Sequence, residues 1–502
     1  MRLVVTGGRV LSPAGPRGEE RDIVIEDDTI VALVPPRTVN DENAERLDAS
    51  HRLIIPGLIN AHTHSHGGLS KGIGDRWNLE ILQTANPWLG GQRGIEDKHL
   101  SALITAIDQV EKGTTACYDL FFEFPAPSLE GMEAVASAYR TVGIRAVIAP
   151  MVSDLTFYQS LPGFIDALTA VDGGGEAGAM RMGSSDAILA ALRQLAQAWS
   201  HAPDHLQLGI APTIPHHCSK EFMLGCRDIA REHGLVMQTH VGEAKYQAAS
   251  SFPIFGMSMT KVMDAVGIVG PWFSAAHAVW LGQDDMRLLA DRGAQVAHNP
   301  GANLRLGSGI APARDYLRHG VTVGIGTDGC HCSDSQNMFE AMRAASFVSR
   351  IRGVPPDQWL STGEVLHMAT EGSARVLGLH HRIGRIAAGF KADLVLLDLK
   401  HVNFMPFNNA LNQIVHVEDG CAVDKVLIGG RVVVSEGRAL GVDKSTLAAK
   451  AEAAVDRLHV VNAPARRLAE LIGPTVVQFC RGLPESPAIA GMHRLLPEQA
   501  LS

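Results

Sequence analysis

The chain has 502 residues, of which 46% are hydrophobic and 19% charged, and its formal net charge is −9 at pH 7. This composition is that of a globular protein with ample apolar material for a core. The negative charge disfavours a nucleic-acid-binding function, which needs a basic surface, and no apolar run reaches the ~18 residues that span a bilayer.

The two ends of the chain share a strand-like pattern. Residues 1–52 alternate apolar and polar side chains between turn signals, residues 383–440 do the same, and both segments contain the sequence GGRV. We therefore predict a small β-sandwich built from both chain ends, with residues 1–55 as one part and residues 383–442 as the other. The Ala-rich tail, residues 443–502, is predicted to be a helical extension.

Between these ends, eight short apolar runs alternate with helix-like stretches such as residues 220–234 and 283–293. The runs are LIIPGLINAHTH (53–64), TTACYDLFF (114–122), IRAVIAPMV (144–152), LQLGIAPT (206–213), LVMQTHVGE (235–243), WFSAAHAVWL (272–281), AQVAHNPG (294–301) and TVGIGTDG (322–329). Nearly continuous apolar strands that alternate with helices indicate a parallel sheet buried on both faces. The pattern predicts an α/β fold, a closed (β/α)₈ barrel of the TIM type over residues 56–382. An open doubly wound sheet is the alternative, but no GxGxxG follows the first strand.

The compartment follows from the cysteines and the first residues. The seven cysteines have no regular spacing, which favours reduced thiols. The first ten residues form a strand-like run that ends in a turn, which is not the pattern of a signal peptide. We expect a cytoplasmic protein.

Polar residues stand where most of the predicted barrel strands end, and in such barrels the active site lies at the carboxyl ends of the strands. His62 and His64 are two residues apart, so on an extended strand they point the same way. The residues at the ends of runs one, five, six, seven and eight are His62 and His64, His240 and Glu243, His277, His298, and Asp328.

Three imidazoles and one carboxylate, from His62, His64, His240 and Asp328, suit one divalent metal ion with a water completing its coordination. Zinc is the expected metal, with iron and manganese as alternatives. Such an ion lowers the pKa of its water from 15.7 to about 7 and provides hydroxide at neutral pH.

The motifs PGLINAHTHSH, QTHVGE, AAHAVWL, VAHNPGANLRLGSGIAP and GIGTDG closely resemble those of the amidohydrolase superfamily. The branch that they resemble has one metal ion and includes guanine, S-adenosylhomocysteine and cytosine deaminases and triazine hydrolases. The resemblance covers nearly the whole chain. It implies a metal-dependent hydrolase, foremost an aminohydrolase in which metal-bound hydroxide attacks an amidine-like N-heterocycle (purine, pterin, pyrimidine or triazine).

The resemblance also implies roles for the strand-end residues. His62, His64, His240 and Asp328 would be the metal ligands. Glu243 would be the acid/base of the HxxE motif, His277 would orient the water or polarise the substrate, and Asp328 would also take the proton of the attacking water. Runs three and four contain no lysine that could bridge a second metal ion, so one metal is expected.

Substrate contacts are predicted less directly. In APTIPHHCS (211–219), Thr213 replaces a histidine that helps to bind the substrate in deaminases of this branch. The residues predicted to contact substrate are His66, Trp88, Thr213, His216 and Asn303. We interpret Cys330 as a packing residue and His331 as a residue of the pocket wall.

Two alternatives stay open at this point. The same site could hydrolyse another C–N, C–S or C–Cl bond, with an N-alkyl, amide, urea or halide leaving group, which the altered Thr213 region favours. The barrel could instead be a non-catalytic scaffold, but such a protein should have lost at least one site residue. The expected partner is a small-molecule substrate, with no nucleic acid and no membrane, and the resemblance favours a homo-oligomer.

Overall fold

The computed structural model describes residues 2–12, 15–173 and 175–484. The strands are β1 (Arg2–Val10), β2 (Glu19–Glu26), β3 (Thr29–Val34), β4 (Glu45–Asp48), β5 (Arg52–Pro56), β6 (Leu58–Thr63), β7 (Thr114–Phe122), β8 (Arg145–Val152), β9 (Leu206–Pro212), β10 (Val236–Val241), β11 (Phe273–His277), β12 (Gln295–His298), β13 (Thr322–Ile325), β14 (Leu394–Asp398), β15 (Val423–Ile428), β16 (Arg431–Ser435) and β17 (Arg438–Ala439).

The helices alternate with the strands through the middle of the chain and end it as a pair. They are α1 (Leu79–Leu89), α2 (Ile95–Val110), α3 (Leu129–Val142), α4 (Phe164–Asp172), α5 (Glu176–Ala179), α6 (Ser185–Ala198), α7 (Lys220–His233), α8 (Lys245–Phe255), α9 (Met259–Ala265), α10 (Gln283–Asp291), α11 (Pro300–Arg305), α12 (Ala313–Arg318), α13 (Met338–Arg350), α14 (Thr362–His367), α15 (Ser373–Val376), α16 (Ala410–His416), α17 (Lys444–Val461) and α18 (Ala463–Arg481).

Strands β6 to β13 form a parallel barrel in which each strand pairs with the next along the chain. The backbone N–H of Asp328, just after β13, donates to the carbonyl of His62 on β6 at 2.9 Å, which joins the last strand to the first. Every residue of β6 and of β8 is buried, as expected for parallel strands covered on both faces. The predicted (β/α)₈ barrel is confirmed.

The remaining strands form one mixed sheet of nine strands that contains both ends of the chain. Its central pairing is antiparallel, between β5 and β14, and includes Ile55 opposite Val395. Leu3, Ile25 and Leu396 from the two halves share one apolar cluster. The predicted β domain from both chain ends is confirmed, with its strands hydrogen-bonded into a single continuous sheet.

The first predicted run, residues 53–64, contains two strands that belong to different sheets. Strand β5 lies in the small sheet and β6 in the barrel, and Gly57 separates them. A Cβ at Gly57 would lie 2.1 Å from the Thr115 side-chain oxygen, so only glycine permits this crossing. An apolar run does not reveal a change of sheet, because both strands are buried.

The pair α17 and α18 runs from the small β domain back onto the barrel. Helix α18 buries Ile472 and Val476 against α1 and α4, and the ring of Phe479 stacks on Phe164 with centroids 4.5 Å apart. The predicted helical extension therefore has two described helices, and its last residues, 485–502, lie outside the described part of the chain. None of the described helices has the length and hydropathy to span a bilayer.

Candidate metal centre and active site

The carboxyl ends of β6, β10, β11 and β13 bring the predicted ligands into one buried cluster. The Oδ1 atom of Asp328 lies 3.2 Å from Nε2 of His64 and 3.4 Å from Nε2 of His62. Nε2 of His64 lies 3.1 Å from Nε2 of His240. His277 and Asp328 have φ angles of 67° and 64°, a left-handed conformation that is unusual for residues other than glycine and concentrates at functional sites.

The hydrogen bonds of His64 and His240 determine which nitrogen of each ring carries the proton. Nδ1 of His64 donates to the carbonyl of Leu120 at 2.8 Å, and Nδ1 of His240 donates to that of Thr213 at 2.6 Å. A carbonyl oxygen only accepts, so in each neutral ring Nε2 bears a lone pair. Burial, followed by the neighbouring His62, lowers the pKa of His64 to about 3, which keeps its ring neutral at pH 7.

His62 is oriented by Gln238 in the same way. The Gln238 amide nitrogen donates to the Ala61 carbonyl and to Ser274 Oγ, so its Oε1 accepts from His62 Nδ1 at 2.5 Å. Nε2 of His62 is buried and has no hydrogen-bond partner among the described residues. Three imidazole lone pairs therefore converge on one point beside a carboxylate.

This cluster fits a divalent metal ion. Lone pairs 3.1 Å apart repel each other unless a positive charge lies between them. Atoms bonded at about 2.0–2.1 Å around a tetrahedral zinc ion lie about 3.3–3.4 Å apart, which matches the 3.1–3.4 Å separations of these ligand atoms. The donor set of imidazole and carboxylate suits zinc, iron or manganese.

Glu243 lies beside the ligands without belonging to the same set of donors. Strand β10 ends at Val241 and the chain turns at Gly242, whose φ is 57°. The Glu243 N–H then donates to Gln247 Oε1 at 2.8 Å. Burial, and next the charge of Asp328, raise the pKa of the Glu243 carboxyl well above its usual value. Glu243 is therefore a buried carboxyl group whose environment favours the protonated form.

His277 completes the cluster between the two carboxyl groups. Its Nε2 lies 3.6 Å from Asp328 Oδ2 and 3.8 Å from Glu243 Oε1. Its Nδ1 lies 2.8 Å from Oδ1 of Asn303 on α11, so Asn303 fixes the orientation of the ring. Burial lowers the pKa of His277 to about 4.

A cavity of about 580 Å³ lies near this cluster, with Thr213 in its lining and none of the six cluster residues. Thr213 links the two, because its carbonyl holds His240 while the residue lines the cavity. Apolar side chains dominate the wall, which includes Phe122, Met151, Leu155, Phe157, Tyr158, Met180, Met182 and Ile214. The junction of α17 and α18 also contributes, through Val461, Asn462, Pro464 and Ala465. The carboxyl-terminal helices therefore form part of the cavity wall.

Among the five residues predicted to contact substrate, only Thr213 lines this cavity. Trp88 lies outside the lining of this cavity: its ring packs edge-on against Trp77, under the Arg466 guanidinium. His216 lies outside the lining too, with Nε2 3.0 Å from Ser250 Oγ. Their contact with substrate stays a prediction.

The other two predicted contacts have different surroundings. Asn303 is buried against His277. His66 accepts a hydrogen bond from the Phe122 N–H at 3.2 Å and lines a small recess with His331. His331 lines this small recess and not the large cavity. Cys330 is buried 3.7 Å from Thr105, consistent with a packing role.

The sequence analysis did not identify residues that orient other site residues by hydrogen bonds. Gln238 orients His62, and Asp119 accepts hydrogen bonds from the Ser65 N–H and hydroxyl directly after the first ligands. Gln238 could have been noticed in the run LVMQTHVGE, because it is a polar residue in an apolar strand, two positions before His240. His217, in the cavity wall, stood beside the predicted His216.

The sequence model of the amidohydrolase family matches residues 53–433. The chain is 29% identical over 465 residues to the 5′-deoxyadenosine deaminase of Methanothermobacter thermautotrophicus, covering 91% of this chain and 98% of the relative. It is 30% identical over 466 residues to the 5-methylthioadenosine/S-adenosylhomocysteine deaminase of Desulforudis audaxviator, covering 91% and 99%.

Solved structures give the same result for the fold. An adenosine deaminase from Xanthomonas campestris with bound zinc superposes with a TM-score of 0.78 at 26% identity, covering 91% of this chain and 98% of that one. The atrazine chlorohydrolase of Arthrobacter aurescens TC1, complexed with zinc, has a TM-score of 0.78 at 24% identity, covering 90% and 100%. At that identity the second likeness concerns the fold alone.

Proposed function

Because the chain belongs to the amidohydrolase family, we propose that it removes the exocyclic amine of an adenine nucleoside, or of a close analogue with an apolar 5′ group. The protein is a metal-dependent hydrolase of carbon–nitrogen bonds, as the sequence predicts. The identity of the substrate and the roles of individual residues are the proposal.

The observation that carries the proposal is the pairing of two features in one buried site. The Nε2 lone pairs of His64 and His240 face each other at 3.1 Å beside Asp328, which calls for a cation. Burial, and next the charge of Asp328, raise the pKa of the neighbouring Glu243 carboxyl well above its usual value. A cation beside a buried acid is what hydrolytic deamination needs, since it requires both a nucleophilic water and a proton for the heterocycle.

His62, His64, His240 and Asp328 would hold the metal ion, for which we propose zinc. When bound, the ion supplies a water of lowered pKa beside the carbon that bears the amine. The other carboxylate oxygen of Asp328 lies on the His277 side and accepts a proton from the attacking water.

Glu243 donates its proton to the ring nitrogen next to that carbon, which makes the carbon more electrophilic. His277, held by Asn303, orients the water between the two carboxyl groups. Water adds to the carbon, Asp328 passes the proton that it accepted to the amine nitrogen, and ammonia leaves as the C–N bond breaks. The hydroxyl group of the adduct returns a proton to Glu243, which forms the carbonyl and restores both carboxyl groups. The product has a carbonyl where the substrate had an amine.

The cavity supports a nucleoside with an apolar 5′ group. Its volume of about 580 Å³ lies within the range of small-molecule sites. Met151, Met180, Met182 and Phe157 supply the adaptable apolar wall that a methylthio or deoxy group would contact. The relatives that share most of the chain's length are named for substrates of this type.

A second candidate keeps the site and changes the leaving group. Thr213 stands where the deaminases that the sequence resembles have a substrate-binding histidine, and it lines the cavity. A halide, N-alkyl or amide leaving group would therefore be accommodated by the same residues. With a halide or an N-alkyl leaving group, the product forms without release of ammonia.

The test is ammonia release by the zinc-loaded protein on a panel of aminated heterocycles. The panel contains adenosine, 5′-deoxyadenosine, 5′-methylthioadenosine, S-adenosylhomocysteine, guanine, cytosine and an aminotriazine, with Glu243→Gln as the control for contaminating deaminases. We expect release from the adenine nucleosides. Hydrolysis of chloro or N-alkyl analogues without ammonia release from any amine would favour the second candidate. A homo-oligomer and a cytoplasmic location stay predictions.

A further inference from the structure

His217 lies on a short 3₁₀ turn, Pro215–His217, that follows β9. Its backbone is fixed on both sides: the N–H donates to the Ile214 carbonyl at 2.8 Å, and the carbonyl accepts from the Leu155 N–H at 3.1 Å. The residue is 6% exposed and lines the large cavity together with Thr213. The ring is therefore held in a defined position at the cavity wall.

Nε2 of the His217 imidazole is fully buried and has no hydrogen-bond partner among the described residues. The aromatic ring recorded beside it in the described part of the chain is that of Phe157, with centroids 5.8 Å apart. A neutral imidazole has one donor and one acceptor, and buried polar atoms are nearly always satisfied. The missing partner is therefore expected to come from a molecule that enters the cavity.

The adjacent histidine has a different environment. Nε2 of His216 lies 3.0 Å from Ser250 Oγ, its ring packs against Phe255 with centroids 5.6 Å apart, and it lies outside the cavity lining. Its Nδ1 is unpartnered too, but it does not face the cavity. Between the two neighbouring imidazoles, His217 is the one that substrate can reach.

The threonine at position 213 leaves this part of the cavity wall without the imidazole that the resemblance places there. The resemblance places a substrate-binding histidine at that position, and a threonine side chain is too short to replace it. Thr213 keeps only the backbone function, since its carbonyl fixes His240 at 2.6 Å. His217 lies four residues further along and borders the same cavity.

We propose that His217 is a specificity-determining residue that hydrogen-bonds a sugar hydroxyl of the nucleoside, supplying from the 3₁₀ turn the imidazole contact that Thr213 lacks. This inference rests on the proposed function. A hydroxyl group both donates and accepts, so it pairs with either tautomer of His217. The reacting ring lies at the metal cluster, on the Thr213 side, and the sugar extends along the wall that contains His217.

The test compares two substrates that differ only in sugar hydroxyls, adenosine and 2′,3′-dideoxyadenosine. We expect His217→Ala to lower kcat/KM for adenosine about 10- to 100-fold, mainly through KM, and to leave kcat/KM for the dideoxy compound within about twofold. Adding Thr213→His to His217→Ala should restore part of the adenosine preference. His367→Ala, an exposed histidine on α14, is the control for the substitution itself.

Folding and binding are measured separately from turnover. Thermal unfolding of His217→Ala and of the more conservative His217→Gln shows whether either variant is destabilised. Calorimetry measures the affinity of zinc-loaded Glu243→Gln for adenosine, with and without His217→Ala. Because Glu243→Gln is expected to turn over slowly, this affinity reports the His217 contact separately from catalysis. We expect weaker binding by a similar factor.

Three outcomes would overturn the inference. The first is an unchanged preference for adenosine in His217→Ala, the second is an equal loss for both substrates, and the third is a wild type that does not distinguish them. If the wild type released no ammonia from either compound, the proposed deaminase function itself would be wrong. That result differs from the three outcomes above, in which the protein is a deaminase but His217 does not contact the sugar.

Discussion

Gln238 determines how well His62 is positioned for a metal ion. Its amide accepts from His62 Nδ1 at 2.5 Å and donates to the Ala61 carbonyl at 3.1 Å and to Ser274 Oγ at 2.8 Å. Gln238→Met keeps the length of the side chain and removes all three hydrogen bonds. Losing the partner that orients a ligating histidine typically weakens metal affinity about 10- to 100-fold, which corresponds to about 1.4–2.7 kcal/mol.

The assay is zinc affinity, because it does not depend on turnover. Protein stripped with a chelator is titrated with zinc against a chromophoric competitor, for the wild type and for Gln238→Met. Gln295→Met is the matched control: Gln295 is a buried glutamine of β12 whose amide nitrogen donates to the carbonyls of Pro271 and Gly293 rather than orienting a histidine. We expect its zinc affinity to be that of the wild type. The reasoning is refuted if Gln238→Met binds zinc as tightly as the wild type, or if both variants lose affinity equally.

Four further outcomes are expected. Glu243→Gln should keep its zinc, measured by elemental analysis, and lose about 10²- to 10⁴-fold in kcat; near-normal turnover would remove Glu243 from the mechanism. His240→Ala should lose zinc occupancy as well as rate, and stoichiometric zinc would contradict its assignment as a ligand. Ile472 is fully buried on α18, so Ile472→Ala should destabilise the packing of this helix by about 2–5 kcal/mol. We expect a higher KM and faster cleavage of α18 by a protease. Leu471 is half exposed on the same helix, and Leu471→Ala should change neither the KM nor the cleavage rate. Burial raises the pKa of Glu364, but hydrogen bonds from Arg314 and Ser361 outweigh it and lower the pKa from 4.5 to about 2. The stabilisation is therefore complete above pH 4.5 and disappears as the pH falls through about 2. Because the side chain is 38% exposed, the free energies of unfolding of wild type and Glu364→Gln should differ by less than about 1 kcal/mol in an acid titration.

Much of the fold was predictable because the barrel strands are short, nearly continuous apolar runs. Each of the eight runs contains a barrel strand of the structure. The run of residues 53–64 contains strands of two sheets separated by Gly57, and the predicted boundary between residues 55 and 56 lies beside this glycine. The pattern of apolar residues indicates which strands are buried. It does not indicate which sheet a buried strand belongs to.

The cavity wall was less predictable because it combines residues from α1, from strand ends, from turns and from the two carboxyl-terminal helices. His216 and His217 are adjacent in sequence, and on a turn with about three residues per turn their side chains diverge by about 120°. One ring therefore faces Ser250 and the other the cavity. Trp88 and Pro87 show the same divergence on α1, where Pro87 lines the cavity and Trp88 packs toward α18.

The sequence by itself determined the barrel, the β domain from both chain ends, and the strand-end set of histidines and acids. These features are local, since they depend on the spacing of apolar residues and on which residue ends each strand. The folded structure was needed to identify the protonated nitrogens of His62, His64 and His240, the one histidine among the described residues that lines the cavity, and the use of the carboxyl-terminal helices as its wall. The physical reason is distance along the chain: Gln238 and His62 are 176 residues apart, and a local pattern contains no information about which remote donor or acceptor a side chain will meet.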